Sequence, residues 1–309
     1  MSDLLKVSSG PHVRSKNSTM MIMFIVILGL LPSSVYGIYH FGYRAAVLIA
    51  VSVASTVLSE LLYCIFMKMP ITIFDLSAVV TGLLLALNLP STAPWWMAAI
   101  GGVFAIVVVK MLFGGLGQNF MNPALAARCF LMICFTSRMT NFNYDGVTTA
   151  TPLALIKSGN AVNVRDMVFG NIAGTIGETS VITIVAGACI MILFGVIDLK
   201  IPGAYLVTFV IFMGLFGGHG WDINFLCAQL AGGGLMLGAF FMATDYATSP
   251  ITDNGKVLYG ICLGIMTGIF RVFSSSAEGV SFAIIICNLL VPLIEKITLP
   301  KCFGKGGEA

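Results

Sequence analysis

The chain has 309 residues, of which 58% are hydrophobic and only 9% are charged, whereas a soluble globular protein has roughly 25% charged residues. This composition excludes an ordinary soluble enzyme and indicates an integral membrane protein. The formal net charge of +3 is too small and too dispersed to indicate a partner such as nucleic acid.

The chain begins with 19 polar residues, and the first apolar run starts at Met20 and continues into a full span, so no cleavable signal peptide is predicted. Apolar runs then recur, and a helix needs roughly 20 apolar residues to cross a hydrocarbon core. The ten predicted spans are about residues 20–39, 44–67, 75–89, 94–114, 122–137, 179–197, 201–218, 223–243, 256–273 and 279–298.

A weak internal repeat groups these spans into two halves. Gly82, Thr92 and Pro94 recur as Gly238, Thr248 and Pro250 at an offset of 156. Lys110 and Phe120 recur as Arg271 and Phe282 at offsets of 161 and 162. Because each half holds five spans, an odd number, the halves must have opposite orientations. The predicted fold class is therefore an all-α polytopic membrane protein with about ten transmembrane helices in two inverted five-helix repeats.

The predicted organisation has five parts. They are a cytoplasmic tail at 1–19, a first repeat at 20–137, an extracytoplasmic loop at 138–178, a second repeat at 179–298 and a cytoplasmic tail at 299–309. With the N-terminus inside, ten lysines and arginines, Lys110 among them, fall on the cytoplasmic side. Five, including Arg271, fall on the other side, and Arg128 lies within a span. This bias predicts that both termini are cytoplasmic.

Three acidic residues inside spans or at their ends are candidates for an ion path, namely Glu60, Asp75 and Asp245. A charge within the bilayer is costly and usually faces a cavity, a partner or a transported ion. For Asp75 and Asp245 a helix-capping or solvated carboxylate is an equally good interpretation. Glu60 is the most deeply placed acid, and we expect it to pair with a basic residue of another subunit.

A polar break, residues 118–124, separates the fourth and fifth spans and contains Asn119 and Asn122. Their amides could bind the edge of a planar heterocycle. Alternatively, Asn122 before Pro123 is an ordinary helix start.

The segment from Asp145 to Leu153 is rich in hydroxyl groups and lies in the long polar interval of the chain. It could present a hydroxyl group for modification, or its threonines could simply cap the following helical turn. The eight cysteines contain no CxxC pair, so neither a zinc site nor a disulfide framework is predicted. Nucleotide-binding and hydrolase motifs are missing from the sequence, so redox chemistry would need a bound cofactor.

Several motifs together resemble the family that contains the D subunit of the Rnf electron-transport complex and the B subunit of the sodium-translocating NADH:quinone reductase. The resemblance covers nearly the whole chain. It rests on segments 8–14, 75–84, 119–124, 145–153, 241–250, 271–273 and 278–283.

The resemblance implies that a flavin transferase attaches FMN to Thr151 through a phosphoester. The matching positions are Asp145, Thr148, Ala150 and Thr151, whereas Thr149 stands where the family often has glycine. A second, non-covalent flavin, riboflavin, is also implied, and we expect Asn119 and Asn122 to line its site.

The family's activity is electron transfer between reduced ferredoxin and NAD, coupled to Na⁺ or H⁺ movement across the bacterial cytoplasmic membrane. The implied partners are membrane and extracytoplasmic flavin subunits and iron–sulfur subunits, and the chain is not expected to be active alone. Three alternatives remain open: a quinone-reductase subunit, a flavin-free solute transporter, and a structural membrane anchor for redox partners.

Overall fold

The computed structural model describes residues 18–144, 147–148, 151–159, 162–274 and 279–300. Within these ranges the fold is helical apart from one hairpin, in which β1 (Asn143–Tyr144) pairs antiparallel with β2 (Val147–Thr148). The first half of the helices consists of α1 (Thr19–Phe41), α2 (Tyr43–Phe66), α3 (Ser77–Leu87), α4 (Trp95–Val103) with its π-helical continuation Phe104–Met111, α5 (Pro123–Cys134) and α6 (Thr136–Met139).

Two short helices lie in the polar interval, α7 (Pro152–Lys157) and α8 (Val164–Phe169). The second half consists of α9 (Val181–Leu193), α10 (Lys200–Phe216), α11 (Ile223–Ala231), α12 (Leu235–Leu237) with its π-helical continuation Gly238–Met242, α13 (Asp253–Phe273) and α14 (Val280–Thr298).

Each predicted span coincides with a helix, or with a pair of continuous or bent helices, to within a few residues. Four helices in the described part of the chain are long and apolar enough to cross a membrane: α1, α2, α13 and α14. The pair α11 and α12, bent by 62°, raises this number to five if it is one span, and the remaining apolar helices are shorter. A multi-pass membrane protein follows, while the ten-span inverted repeat stays a prediction.

Both ends of the short helix α3 are buried. Its 11 residues extend for about 16 Å, roughly half of a hydrocarbon core. Leu76, in the left-handed region with φ 63°, precedes the helix. At the other end the N–H groups of Ile176 and Gly177 donate to the carbonyls of Leu89 and Leu87 at 3.0 and 2.8 Å. The loop before α9 therefore satisfies carbonyls that would otherwise lack partners.

A similar break occurs in the second half. Gly234, with φ 66°, precedes α12, as Leu76 precedes α3. A basic residue of the following helical segment reaches each break: Arg271 of α13 donates to the carbonyl of Gly232 at 2.8 Å, and Lys110 of the continuation of α4 donates to the hydroxyl of Ser77 at 2.6 Å. This correspondence supports the predicted repeat.

Glycines allow α1 and α9 to cross in direct backbone contact. A Cβ atom added at Gly187 would lie only 1.9 Å from the carbonyl oxygen of Gly29. The two helices belong to different halves, so the crossing point brings the halves together. The backbones lie so close there that a side chain larger than that of glycine would not fit between them.

We expect Gly187→Ala to lower the stability of the protein by about 1–3 kcal/mol, because the new methyl group forces the two backbones apart. Gly203→Ala in α10 is the control, since a Cβ there meets nothing within 4 Å. Thermal unfolding in detergent, followed by tryptophan fluorescence, measures both variants. An unchanged midpoint for Gly187→Ala would show that the crossing is not tightly packed.

Candidate functional site

A buried ion pair connects α2 to the π-helical segment Phe104–Met111. Glu60 of α2 is fully buried, and its Oε2 accepts a hydrogen bond from Lys110 Nζ at 2.8 Å. Lys110, only 3% exposed, also donates to Ser77 Oγ at 2.6 Å. The expectation that Glu60 pairs with another subunit was therefore wrong, because the partner is supplied by the π-helical segment of the same chain.

This pair is extended on both sides by hydrogen bonds. Thr72 donates to Glu60 Oε1 at 2.6 Å, and Ser77 Oγ donates to Asp75 Oδ1 at 2.6 Å. The backbone N–H of Ser77 also donates to Asp75 Oδ1, at 3.0 Å. Thr72 is exposed and Asp75 is half-buried, so the polar chain runs from the surface to the interior and back. Asp75 thus serves as a capping residue as well as a member of this buried network.

Two basic residues lie elsewhere than the sequence suggested. Lys110 was assigned to the cytoplasmic side and Arg271 to the opposite side, but both are buried, 3% and 5% exposed. The count of lysines and arginines on the two sides of the membrane applies to residues in short loops, so Lys110 and Arg271 are removed from it, one from each side. The direction of the bias does not change, and the orientation stays a prediction.

A cavity brings most of the candidate residues together. Its enclosed end, about 70 Å³, is lined by apolar side chains of α1 and α3 and by Lys110, Asn119, Asn122 and Asp245. A wider cavity of about 700 Å³ shares Asn119 and Asp245 with it and opens beside Thr19 and Glu295. Glu60 does not line either cavity, but its ion-pair partner Lys110 lines the enclosed end.

The two asparagines play different parts in the cavity wall. Asn122 begins α5: its Oδ1 accepts from the N–H groups of Ala124 at 3.1 Å and Leu125 at 3.4 Å, so the helix-start interpretation is confirmed. Asn119 is 6% exposed, and its Oδ1 has no hydrogen-bond partner among the described residues. A buried amide oxygen without a partner is costly, so a ligand N–H group in the cavity would stabilise it.

A second buried cation lies at the opposite end of α3. Arg128 donates to Asn88 Oδ1 at 2.6 Å and to Glu178 Oε1 at 2.8 Å, and all three residues are buried. The sequence singled out Arg128 as an intramembrane charge but did not identify its partners. The signal that could have found Glu178 is the rule that a buried arginine needs a carboxylate.

Thr151 begins α7 and caps it, since its Oγ1 accepts from the N–H of Ala154 at 3.4 Å. The side chain of Leu153 packs on Gly232, where an added Cβ would lie 2.2 Å from Leu153 Cδ1. Thr151 is 9% exposed, and the helix that it caps packs through Leu153 against the break between α11 and α12. Thr148 contributes its backbone to β2, whereas Asp145 and Ala150 lie outside the described residues.

The cavity and Thr151 lie at opposite ends of the bundle. The cavity opens beside Thr19, where α1 begins. Near the other end of α1, Tyr36 donates to the carbonyl of Phe169 at 2.6 Å. The helix that ends at Phe169 packs through Met167 on Gly232, where Leu153 also packs. The chain therefore presents one candidate site at each end of the membrane-spanning helices.

Known proteins resemble this chain along nearly its whole length. A family model described as NQR2, RnfD, RnfE family matches residues 6–304. The D subunit of the Na⁺-translocating ferredoxin:NAD⁺ oxidoreductase complex of Acetobacterium woodii is 46% identical, over 97% of this chain and 95% of its own length. The proton-translocating counterpart of Clostridium ljungdahlii is 37% identical, over 98% and 97%. The D subunit of an ion-translocating oxidoreductase complex from Cronobacter sakazakii is 31% identical, over 97% and 99%.

We expect Arg128→Met to destabilise the protein by about 3–5 kcal/mol, because the buried Glu178 carboxylate then has no cation. The double variant Arg128→Met, Glu178→Leu should recover most of this loss. Lys200→Met is the control, because Lys200 is 43% exposed and its pair with Asp253 contributes little. Unfolding temperatures of the purified variants check this, and equal losses in the single and double variants would contradict it.

Proposed function

The chain belongs to the NQR2, RnfD, RnfE family, and from this premise we propose that it is a membrane subunit of an ion-translocating ferredoxin:NAD⁺ oxidoreductase complex. The observation that carries this proposal is 46% identity over 97% of the chain to a complex subunit of that activity. The motifs of both halves and of the polar interval are included in the matched range.

The subunit acts within an assembly. The names of its relatives describe one subunit of a complex. We place it in the bacterial cytoplasmic membrane with both termini in the cytoplasm, beside membrane and extracytoplasmic flavin subunits and iron–sulfur subunits. The chain has no activity by itself in this proposal, because electrons must enter and leave through those partners.

Thr151 is the proposed attachment point of FMN, joined by a flavin transferase through a phosphoester. The local structure fits a modified hydroxyl. Among the described residues, the only hydrogen bond of Thr151 Oγ1 is long, 3.4 Å, so its loss on esterification costs little. The rigid docking of α7 on Gly232 fixes the backbone that would carry the cofactor. A covalently held flavin accepts electrons one or two at a time and cannot dissociate from the protein.

A second flavin, riboflavin, is proposed for the wider cavity of about 700 Å³ at the other end of the bundle, since the enclosed end of about 70 Å³ is too small for a planar three-ring system. The Oδ1 of Asn119, which has no partner among the described residues, suits an N–H group of a planar heterocycle, and apolar side chains of α1 and α14 suit the faces of its rings. Asp245 supplies a further polar group on the same wall, whereas Asn122 lines only the enclosed end and its side chain already bonds to protein groups. This arrangement supports the expectation that Asn119 lines the site of the second flavin.

With one flavin at each end, the chain relays electrons through the membrane. Glu60, Asp75 and Asp245 are the proposed ion-path carboxylates, carrying Na⁺ or H⁺ in step with the electrons. Glu60 and Asp75 belong to one hydrogen-bonded network and Asp245 lines the adjoining cavity. Amide replacement of each acid, assayed for ion pumping in membrane vesicles with electron transfer intact, tests this role.

We expect Thr151→Ala to abolish covalent flavin, because the acceptor hydroxyl is removed. Intact mass of the purified subunit should show a gain equal to FMN less one water in the wild type and none in the variant. In membranes, ferredoxin-dependent NAD⁺ reduction should fall to background. Thr140→Ala, an exposed threonine of the same polar interval, is the control. An unmodified wild-type mass in cells that possess the transferase would refute the attachment.

We expect Asn119→Ala to lose most of the non-covalent flavin, because its amide oxygen is the unpaired acceptor of the cavity wall. The covalent flavin at Thr151 should remain. Flavin released by denaturation, divided by flavin retained on the polypeptide, measures the effect. Asn224→Ala, at the other end of the bundle, is the matched control. Equal ratios in both variants would place the second flavin elsewhere.

A further inference from the structure

We propose that a groove between α7 and the turn before α11 binds the ring system of the FMN attached to Thr151, and that His219 and Phe225 contact the face of the ring. This groove, the α7 groove, is lined by Ile156, Arg165, His219 and Phe225 among others. The inference rests on the proposed function and deepens it, because it assigns the side chains that hold the ring of the covalent flavin.

The α7 groove is large enough for a planar three-ring system. Its volume is about 610 Å³, and small-molecule sites occupy roughly 300–1,000 Å³. A smaller cavity of about 180 Å³ adjoins it and shares Ile156, His219 and Phe225 with it. Leu153, near the start of α7, also lines the smaller cavity. The helix that Thr151 caps is therefore a wall of both cavities.

The groove is within reach of the attachment point. Ile156 follows Thr151 by five residues, which corresponds to about 7.5 Å along a helix. In an attached FMN the phosphate and the ribityl chain place about eight bonds between the threonine oxygen and the ring, so an extended tether spans about 10 Å. A short flexible tether also gives an effective concentration in the millimolar range, so even weak contacts keep the ring bound.

The side chains of the groove match the parts of a flavin ring. The ring centroids of His219 and Phe225 lie 4.5 Å apart with the planes tilted by 37°, so the two rings form an aromatic surface. Planar heterocycles stack on such surfaces. Ile156 adds apolar surface, and Arg165 brings a guanidinium group with several N–H donors. The pyrimidine edge of the flavin ring carries oxygen and nitrogen atoms that accept hydrogen bonds from such donors.

The α7 groove opens at the surface of the protein. His219 and Arg165 are exposed, and Phe225 is half-buried. A ring bound there contacts the protein on one side and leaves another side accessible. Such a position suits a carrier that exchanges electrons with a neighbouring subunit, because the partner can approach the ring directly.

The test is the flavin fluorescence of the purified, flavinylated full-length subunit, with and without iodide as a quencher. The signal of the Thr151→Ala subunit is subtracted, which removes the contribution of non-covalent flavin. Aromatic side chains stacked on a flavin quench its fluorescence, whereas a ring in water is bright and accessible to iodide.

Losing one stacking contact weakens the binding of a base-like ring by about fivefold or more. We therefore expect His219→Ala and Phe225→Leu each to raise the fluorescence and the iodide-accessible fraction severalfold. His219→Phe keeps an aromatic ring and should behave as the wild type does. Phe216→Ala is the control, because Phe216 is an exposed aromatic residue of the same end of the bundle and is not among the described residues that line either cavity.

The intact mass of every sample separates this inference from the proposed attachment. A full gain of FMN with unchanged fluorescence in His219→Ala and Phe225→Leu would refute the groove and leave the attachment at Thr151 standing. A wild type without FMN would refute both. If the variants do not fold, the wild type is compared with its own flavin-bearing peptide after proteolysis. The intact subunit should be dimmer and less accessible to iodide, and equal values would overturn the groove.

Discussion

The need to satisfy the buried ends of α3 organises much of this protein. A helix of 11 residues cannot cross a membrane, so its terminal N–H and C=O groups lie inside the fold and must find partners there. At its first turn Asp75 accepts from the N–H of Ser77, and Lys110 approaches the same residue. At its last turn the N–H of Gly177 reaches the carbonyl of Leu87. The cavity and the buried charges are consequences of ending a helix in the interior.

Each of the three buried basic residues among the described residues has a different set of hydrogen-bond partners. Lys110 has a carboxylate and a hydroxyl, Arg128 has a carboxylate and an amide, and Arg271 has the side-chain amide of Gln229 and backbone carbonyls of the broken pair α11 and α12. Pairs of this kind contribute little net stability, because desolvation offsets the attraction, but removing one partner is costly. Their effect is to fix which elements meet. Lys110 connects the continuation of α4 to α2 and to the start of α3, Arg128 connects α5 to the end of α3 and the loop before α9, and Arg271 connects α13 to the bent pair α11 and α12.

Hydrophobic periodicity predicted the positions of the helices well, because runs of apolar residues between polar segments are a property of the local sequence. It also identified Asn119, Asn122 and Asp245, which the fold gathers around one cavity. Partner choice could not be predicted: Lys110 was counted on the cytoplasmic side, and its bond to Glu60 joins residues 50 positions apart. Such pairing depends on how the helices pack, and no local sequence pattern encodes that packing. The π-helical turn around Lys110 also changes the direction in which its side chain leaves the helix.

The separation of the two sites has an electrical consequence. The cavity lies at the Thr19 end of α1 and Thr151 at the Phe41 end, so an electron carried between flavins proposed at these two sites would move along the bundle and through the membrane's electric field. Moving one elementary charge through that field changes its free energy by about 2.3 kcal/mol for each 100 mV. In the proposed relay this transfer is electrogenic whichever way the bundle is oriented, so its rate and equilibrium would depend on the membrane potential.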